Sequence, residues 1–309
     1  MTVSSPSDRP LNWQIDALWQ RLSPLLPGIG IEVLARTEST NTVLLDRVRA
    51  DYAHGARASY GRRAYDLQPC LLVAEHQTQG RGRMGRTWQS GPRGSLTFSL
   101  GLPLELNDWS GLSLAVGAAI ANALDPLNPP DPQCPEATPR LQIKWPNDLW
   151  LDGRKLGGIL IETVSVGPQR MVVIGVGLNV SALSTSFKAP SDLAALASNA
   201  APTFSTGFAA LDELLPEPDA PAVLAQVAPA VAQALVDFKA AGFDAAAQAA
   251  FARRDLTLNR HVTAGPLDGM ARGVTAQGEL LIQTGVGAVQ AVSGGEVSVR
   301  LAVSASGPH

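Results

Sequence analysis

The stretch Gly80-Arg81-Gly82-Arg83-Met84-Gly85-Arg86-Thr87-Trp88 carries the residue types best suited to chemistry on an anion. Three glycines and three arginines share seven positions, and a tryptophan follows. Glycine admits close backbone approach and positive φ. Arginine presents a planar fork of donors that matches phosphate and carboxylate oxygens. The indole offers a flat face on which a base can stack. Together they suit an anionic, nucleotide-like ligand. The letters also fit G-x-G-x-x-G at Gly80, Gly82 and Gly85. A dinucleotide loop must open a helix directly after its strand, and here the chain continues into Gln89-Ser90-Gly91-Pro92, which is turn material. A solvated basic turn is the bland alternative.

Four further stretches carry polar groups at expected strand or helix ends. Lys144-Trp145-Pro146-Asn147-Asp148 ends a strand at proline and projects Asn147 and Asp148; an Asx turn explains the same letters. In Gly153-Arg154-Lys155-Leu156-Gly157-Gly158-Ile159-Leu160-Ile161-Glu162, Lys155 opens an otherwise apolar strand and can set a point charge on phosphate, or it is a solvated hairpin lysine. Gly175-Val176-Gly177-Leu178-Asn179 places bare backbone in a strand, for close approach of a ligand or as a bulge. Ser39-Thr40-Asn41 caps a helix and can grip a polar ring or a carboxylate there. The amide of Gln77 can act likewise.

Composition narrows the classes. The 309 residues are 45% apolar and 17% charged, enough for a large core in one or two domains. A net charge of −3 argues against broad nucleic-acid binding. Cys70 and Cys134 have no metal-ligand spacing and fit idle thiols in a reducing compartment. No G-x-S-x-G, H-E-x-x-H, Walker A or Cys/His cluster occurs, so covalent-nucleophile and structural-zinc chemistry lose support. With no apolar run of transmembrane length and no apolar leader at Met1 to Pro10, the expectation is a soluble cytoplasmic protein that binds no membrane.

The elements that must position these groups follow from periodicity. A tail and short helix occupy 1–28, the helix spanning Trp13 to Leu26. A catalytic domain is expected over 29–255 and a C-terminal domain over 256–309. Strands are predicted at Ile31 to Leu34, Cys70 to Ala74, Leu96 to Leu100 and Met171 to Gly177. Leu141 to Ile161 should form two strands joined by the hairpin dipeptide Asp152-Gly153. Thr37 to Asn41 before Val43 to Val48 is the signature of a capped helix start, and helices are predicted over Gly111 to Leu124, Ala222 to Ala241 and Asp244 to Arg254. Gly55 to Gln68 is loop-like, Asp125 to Pro139 with its six prolines is an excursion, and Ser181 to Pro221 includes a mobile loop. Short alternating runs from Leu256 to Ala302, broken by glycines, suit a small β-barrel.

The order of the motifs resembles the biotin protein ligases: Ser39 to Asn41, Gln77 with Gly80 to Trp88, Lys144 to Asp148, Arg154 to Gly158, then Gly175 to Asn179. The likeness spans about 30–180, and Arg272-Gly273, Gly278 and Gly294-Gly295-Glu296 extend it into the tail. It implies an α+β fold: a mixed-sheet catalytic domain with a small C-terminal SH3-like barrel. The implied activity is ATP-dependent conversion of biotin to biotinyl-5'-AMP, then transfer to a lysine of a biotin carboxyl carrier domain. Ser39, Thr40, Asn41, Gln77, Arg81, Gly82, Arg83 and Lys155 match positions that hold biotin or its adenylate, with Gly80, Gly158, Gly175 and Gly177 as bare backbone beside them. Arg83, Arg86, Trp88, Lys144, Asn147 and Asn179 form the nucleotide set, with Trp88 meeting adenine. Lys155, Arg83 and Arg81 are expected to stabilise charge at phosphorus, and Gly80 to Arg86 to close over the adenylate. Mg²⁺ comes with ATP, and Asp148 is the side chain singled out for it. About 30 residues precede the first strand, too few for the DNA-binding module of some members, so no DNA partner is expected. Met84 stands where members often carry another arginine. The oligomeric state is left open, a homodimer among the options. Competing readings are a lipoate–protein ligase, a non-catalytic biotin- or nucleotide-binding regulator and, last, a nicotinamide oxidoreductase.

Overall fold

Near-continuous burial on both faces builds the central sheet. In the computed structural model, which describes residues 11–55, 68–104, 106, 108–127, 139–166, 169–181, 207–285, 287–294 and 299–301, seven strands lie in the order β1-β2-β5-β9-β8-β7-β6. They are β1 (Gly30–Leu34), β2 (Cys70–Ala74), β5 (Ser95–Pro103), β6 (Leu141–Lys144), β7 (Asp148–Leu151), β8 (Arg154–Val166) and β9 (Gln169–Asn179). Only β1 and β2 pair in parallel. A separate two-stranded ribbon, β3 (Gly80–Arg81) with β4 (Thr87–Trp88), carries the glycine-arginine stretch.

Period 2 sends successive side chains to opposite faces. On β2, Leu71 and Val73 join the main core, while Leu72 faces Leu44 and Leu45 of helix α2 (Thr40–Gly55). The main core lies on the other face, under α3 (Leu112–Leu124) and α4 (Ala220–Ala241), with α5 (Ala245–Ala252) beside them. Helix α4 is long and apolar enough to cross a bilayer, but Val223, Leu224, Val227, Val231 and Leu235 are buried in this core. The second sheet is antiparallel, in the order β13-β12-β11-β10-β14: β10 (His261–Ala264), β11 (Leu267–Val274), β12 (Leu280–Thr284), β13 (Val289–Val292) and β14 (Val299–Leu301). It forms the small SH3-like unit. Trp145 Nε1 donates to Gly278 O at 2.9 Å and ties the two sheets together.

The fully buried Arg254 closes the edge at β6. It donates to Asn122 Oδ1 at 2.8 Å and Leu141 O at 2.7 Å, and pairs with Asp125 at 3.3 Å. The neighbouring Leu256 N–H bonds Ile143 O.

Two expectations need correction. The first helix, α1, runs Ile15–Leu22 and not Trp13 to Leu26: Gln14 takes a left-handed φ of 46°, and the chain after Leu22 continues only as turns. Residues 141–161 hold three strands and not two, because the turn at Trp145–Pro146, a cis peptide, splits the run. Asp152-Gly153 does make a hairpin, between β7 and β8, with φ of 47° and 77° as such a turn requires. Most of the loop at 55–68, the proline excursion at 128–138, 182–206 and Gly295-Glu296 lie outside the described residues.

Candidate active site

A cavity of about 960 Å³ opens on the α2 face of the sheet. Its floor is β9, where the odd-numbered residues from Met171 point toward α2. Met171 and Val173 are apolar and covered, but Gly175 and Gly177 leave the strand bare. No bulge interrupts β9; its pairing with β5 and β8 is continuous here. The glycines serve close approach: a Cβ on Gly175 would lie 2.3 Å from Asn41 Oδ1, and one on Gly177 would lie 2.5 Å from Trp88 Cε2. Asn179 continues the row, its amide donating to Ala209 O at 3.0 Å. From Gly175 to Asn179 the row spans roughly 14 Å at strand rise.

One end of this row is neutral and internally bonded. Ser39, Thr40, Asn41 and Gln77 are all buried. Gln77 Oε1 accepts from Thr40 N at 2.7 Å and from Thr40 Oγ1 at 3.0 Å. Ser99, with no exposure, lies 2.6 Å from both Thr40 Oγ1 and Asn41 Oδ1 and shares its hydroxyl between them. Asn41 Nδ2 donates to Glu162 Oε2 at 2.9 Å and to Leu160 O at 3.3 Å. Ser39 Oγ also accepts from Thr42 N at 3.5 Å, as a helix cap does.

The other end is cationic. Lys155 Nζ bonds Asp148 Oδ1 at 2.8 Å, both side chains mostly buried. Lys144 lies in the same region, its ammonium 5.0 Å from the Trp150 ring centroid. Burial pulls Lys144 down to about 8; Asp148 opposes this, while Lys155, Arg86 and Arg300 add to it. Arg83 donates to Asn147 Oδ1 at 2.9 Å and to Gly294 O of the second sheet. Burial lowers its pKa as well, against the pull of Asp148. Asn147 is not an Asx turn: its Nδ2 donates to Ile159 O at 2.8 Å and its Oδ1 receives Arg83. Gly158 opposes Gly177 in the sheet and leaves room beside Asp148 and Lys155.

The flap between these ends is more ordered than a plain turn. Gly80 pairs with Trp88, Met84 takes a left-handed φ of 56°, and Gly82 N bonds Arg86 O at 2.7 Å. The Trp88 indole rests on Gly177, and its buried Nε1 has no hydrogen-bond partner. Arg81 sits apart from the other cations, paired with Glu162 at 2.9 Å beside the neutral end.

All the residues expected in the site except Gly80 line this one cavity; Gly80 starts the flap, with a Cβ there meeting Trp88 O at 2.4 Å. Sequence reasoning missed Ser99, hidden in an apolar strand, and gave no role to Glu162. It also missed Phe208, which follows the 182–206 segment. That ring is 65% exposed at the cavity rim, and its segment is held by Ala209 N to Lys155 O and by Arg154 to Glu213.

Comparison with known proteins agrees with this architecture. The sequence model of the biotin/lipoate A/B protein ligase family matches residues 33–179, and that of the biotin protein ligase C terminal domain matches 257–300. A biotin–[acetyl-CoA-carboxylase] ligase of Mycobacterium tuberculosis is 32% identical over 275 residues, covering 86% of this chain and 88% of that protein. The bifunctional ligase/repressor BirA of Escherichia coli is 30% identical over 284 residues, 90% of this chain and 76% of BirA. Among solved structures, the biotin protein ligase from Aquifex aeolicus in complex with biotin and ATP shares the fold, with a TM-score of 0.62 at 24% identity over 88% of this chain and 99% of that one. With its two-sheet fold and its pocket of neutral and cationic ends, the chain belongs to the biotin protein ligases of the biotin/lipoate A/B protein ligase family.

Proposed function

We propose that the chain ligates biotin to protein at the expense of ATP, in two steps within this one cavity. The observation that carries the reading is the row Gly175, Gly177, Asn179, which joins a neutral hydrogen-bonding end to a cationic end across bare backbone. A ureido ring suits the first end, where Ser39, Thr40 and Gln77 present polar atoms. A carboxylate and an α-phosphate suit the second, where Lys155, Lys144, Arg83 and Arg86 converge. In the first step a carboxylate oxygen attacks the α-phosphorus, the bond to the β-phosphate breaks, and pyrophosphate leaves. Lys155 and the arginines offset repulsion between the anions and stabilise charge as it develops. The resulting anhydride is shielded from water by the flap. In the second step a neutral lysine amine of a carrier domain attacks the carbonyl carbon, AMP departs, and the amine's proton passes to solvent. No enzyme nucleophile is required.

We read the aromatics along the same row, with Trp88 on the acid and not on adenine as the resemblance implies. Trp88 stands on Gly177, one step from the neutral end, and so covers the apolar middle of the acid; adenine falls toward Asn179 and Phe208. Mg²⁺ accompanies ATP in this reading. Among the described residues no three His, Cys, Asp or Glu side chains gather into a metal-binding group, and Asp148 Oδ1 is engaged by Lys155. An ion carried in with ATP would draw most of its ligands from phosphate oxygens and water, with the second Asp148 oxygen as the one carboxylate at hand.

The test is incubation with biotin, Mg-ATP and an apo-carrier domain, followed by mass. One added biotinyl group is expected, with pyrophosphate released by biotin and ATP alone. Absence of biotin-dependent pyrophosphate release would overturn the reading. Calorimetry with biotin and with lipoate separates the two acids.

A further inference from the structure

We propose that Glu162 is a positioning residue that fastens the Gly80–Trp88 flap to the neutral end of the pocket through Arg81. The proposal rests on the two-ended reading of the cavity given above. Glu162 lies on β8 opposite Val173, two residues beyond Leu160, which pairs with Gly175. Its two oxygens hold different parts of the molecule. Oε1 takes Arg81 Nη2 at 2.9 Å, and Oε2 takes Asn41 Nδ2 at 2.9 Å with Arg81 Nη1 at 3.4 Å.

The two sides of this bridge differ in freedom. Asn41 is buried at the start of α2, with its Oδ1 held by Ser99 and its Nδ2 shared with Leu160 O. It cannot follow a moving partner without breaking those bonds. Arg81 belongs to a two-stranded ribbon outside the main sheet, and among the described residues its only other contact of this kind is Thr42 Oγ1 at 3.4 Å. The flap is therefore the part that Glu162 restrains. The Glu162 side chain is 22% exposed against 47% for Arg81, so the carboxylate is the better shielded member. At the far side of the flap, Arg83 makes the second fastening, to Asn147 and Gly294 O.

Two consequences follow. The Arg81 charge is matched before any ligand arrives, which keeps the neutral end neutral and assigns the phosphate work to Arg83, Arg86, Lys144 and Lys155. Loss of Glu162 releases the flap and leaves an unmatched cation beside the site for the ring.

The experiment uses limited trypsinolysis of the ligand-free full chain, counting only cleavage after Arg83 and Arg86 by mass. Glu162→Gln keeps the shape and an acceptor for Asn41, and Arg81→Gln leaves the buried network untouched. Both variants are expected to be cut about two- to fivefold faster than wild type, the scale of one part-exposed ion pair. In the same range, KM for biotin should rise in Glu162→Gln while KM for ATP moves less. Combining the two substitutions should add nothing to either effect. If either single variant is cut at the wild-type rate, or if the effects add, the fastening is overturned. Cleavage is read without substrates, so this outcome stands apart from pyrophosphate release, on which the functional reading depends.

Discussion

The two ends of the pocket are built on opposite principles. At the neutral end, Thr40, Asn41, Gln77 and Ser99 satisfy one another from the start of α2, the bridge that Gln77 makes with Thr37 beyond β2, and the middle of β5. Nothing there awaits a ligand's charge, so recognition depends on shape and donor direction. At the cationic end, Lys144, Lys155, Arg83 and Arg86 come from the β6–β8 segment and the flap, and Arg83 leans on the second sheet. Asp148, Asn147 and the Trp150 face work against their mutual repulsion. A preorganised neutral site selects; a cationic site draws in an anion and stabilises the charge that develops on it. Substitutions should therefore separate binding of the acid from chemistry on phosphate.

The largest effect is expected at Lys155. Lys155→Ala should lower the rate of adenylate formation by roughly 10²- to 10³-fold, the usual scale for removing one preorganised charge donor. Biotin affinity should move little. A pyrophosphate-release assay at saturating biotin checks this, and a near wild-type rate would take Lys155 out of its role.

Ser99→Ala strikes the other end. It leaves Asn41 Oδ1 without its 2.6 Å hydroxyl donor in a fully buried setting. Stability should fall by about 1–3 kcal/mol in urea unfolding. KM for biotin should rise about tenfold while kcat at saturation stays near wild type. A fall in kcat with KM unchanged would show that the ends are not separate.

Much of this contrast was legible in sequence, for a physical reason. Glycine-arginine, Lys144 to Asp148 and Lys155 announce themselves because charge and bare backbone are conspicuous among apolar strands. Ser99 did not, since a small hydroxyl within Leu96 to Leu102 reads as one more strand residue; only the pairing of β5 with Gly175 reveals its direction. Glu162 and Phe208 were hidden for the same reason, their partners Arg81 and Lys155 lying 81 residues and 53 residues away in sequence. Strand counting suffered likewise: Pro146 marked a strand end, but Lys144, although charged, is buried at the last position of β6, so polarity did not separate β6 from β7 as two strands.

Lys144 gives a pH-dependent version of the comparison. Its folded pKa of about 8 lies below the ordinary 10.5, so between these values the unfolded chain holds a proton the folded chain has released. Stability of the ligand-free protein should therefore rise with pH across this window, and the burial penalty is complete below it. Lys144→Met should be more stable than wild type by about 1–3 kcal/mol at neutral pH, an advantage that fades as pH climbs above 8. Its KM for ATP should be raised at neutral pH, and the rise of wild-type KM above pH 8 should flatten. Thermal unfolding and KM measured across pH 7 to 10 check both signs.

The smallest difference, and the sharpest test of the contrast, is the one between the two floor glycines. An added Cβ at either position collides, at 2.3 Å with Asn41 Oδ1 for Gly175 and at 2.5 Å with Trp88 Cε2 for Gly177. By distance alone the two substitutions look alike. Their neighbours differ, because Asn41 is held by Ser99, Glu162 and Leu160 O, whereas Trp88 sits at the end of a two-residue strand with an unpaired Nε1. Asn41 must break bonds to yield; Trp88 has only to tilt off its rotamer. Gly175→Ala should thus raise KM for biotin by tenfold or more, the scale of an overpacked rigid site. Gly177→Ala should raise it only about two- to fivefold. The reverse order would mean that the flap is as stiff as the helix start, and the division between a rigid selecting end and a yielding cover would fail.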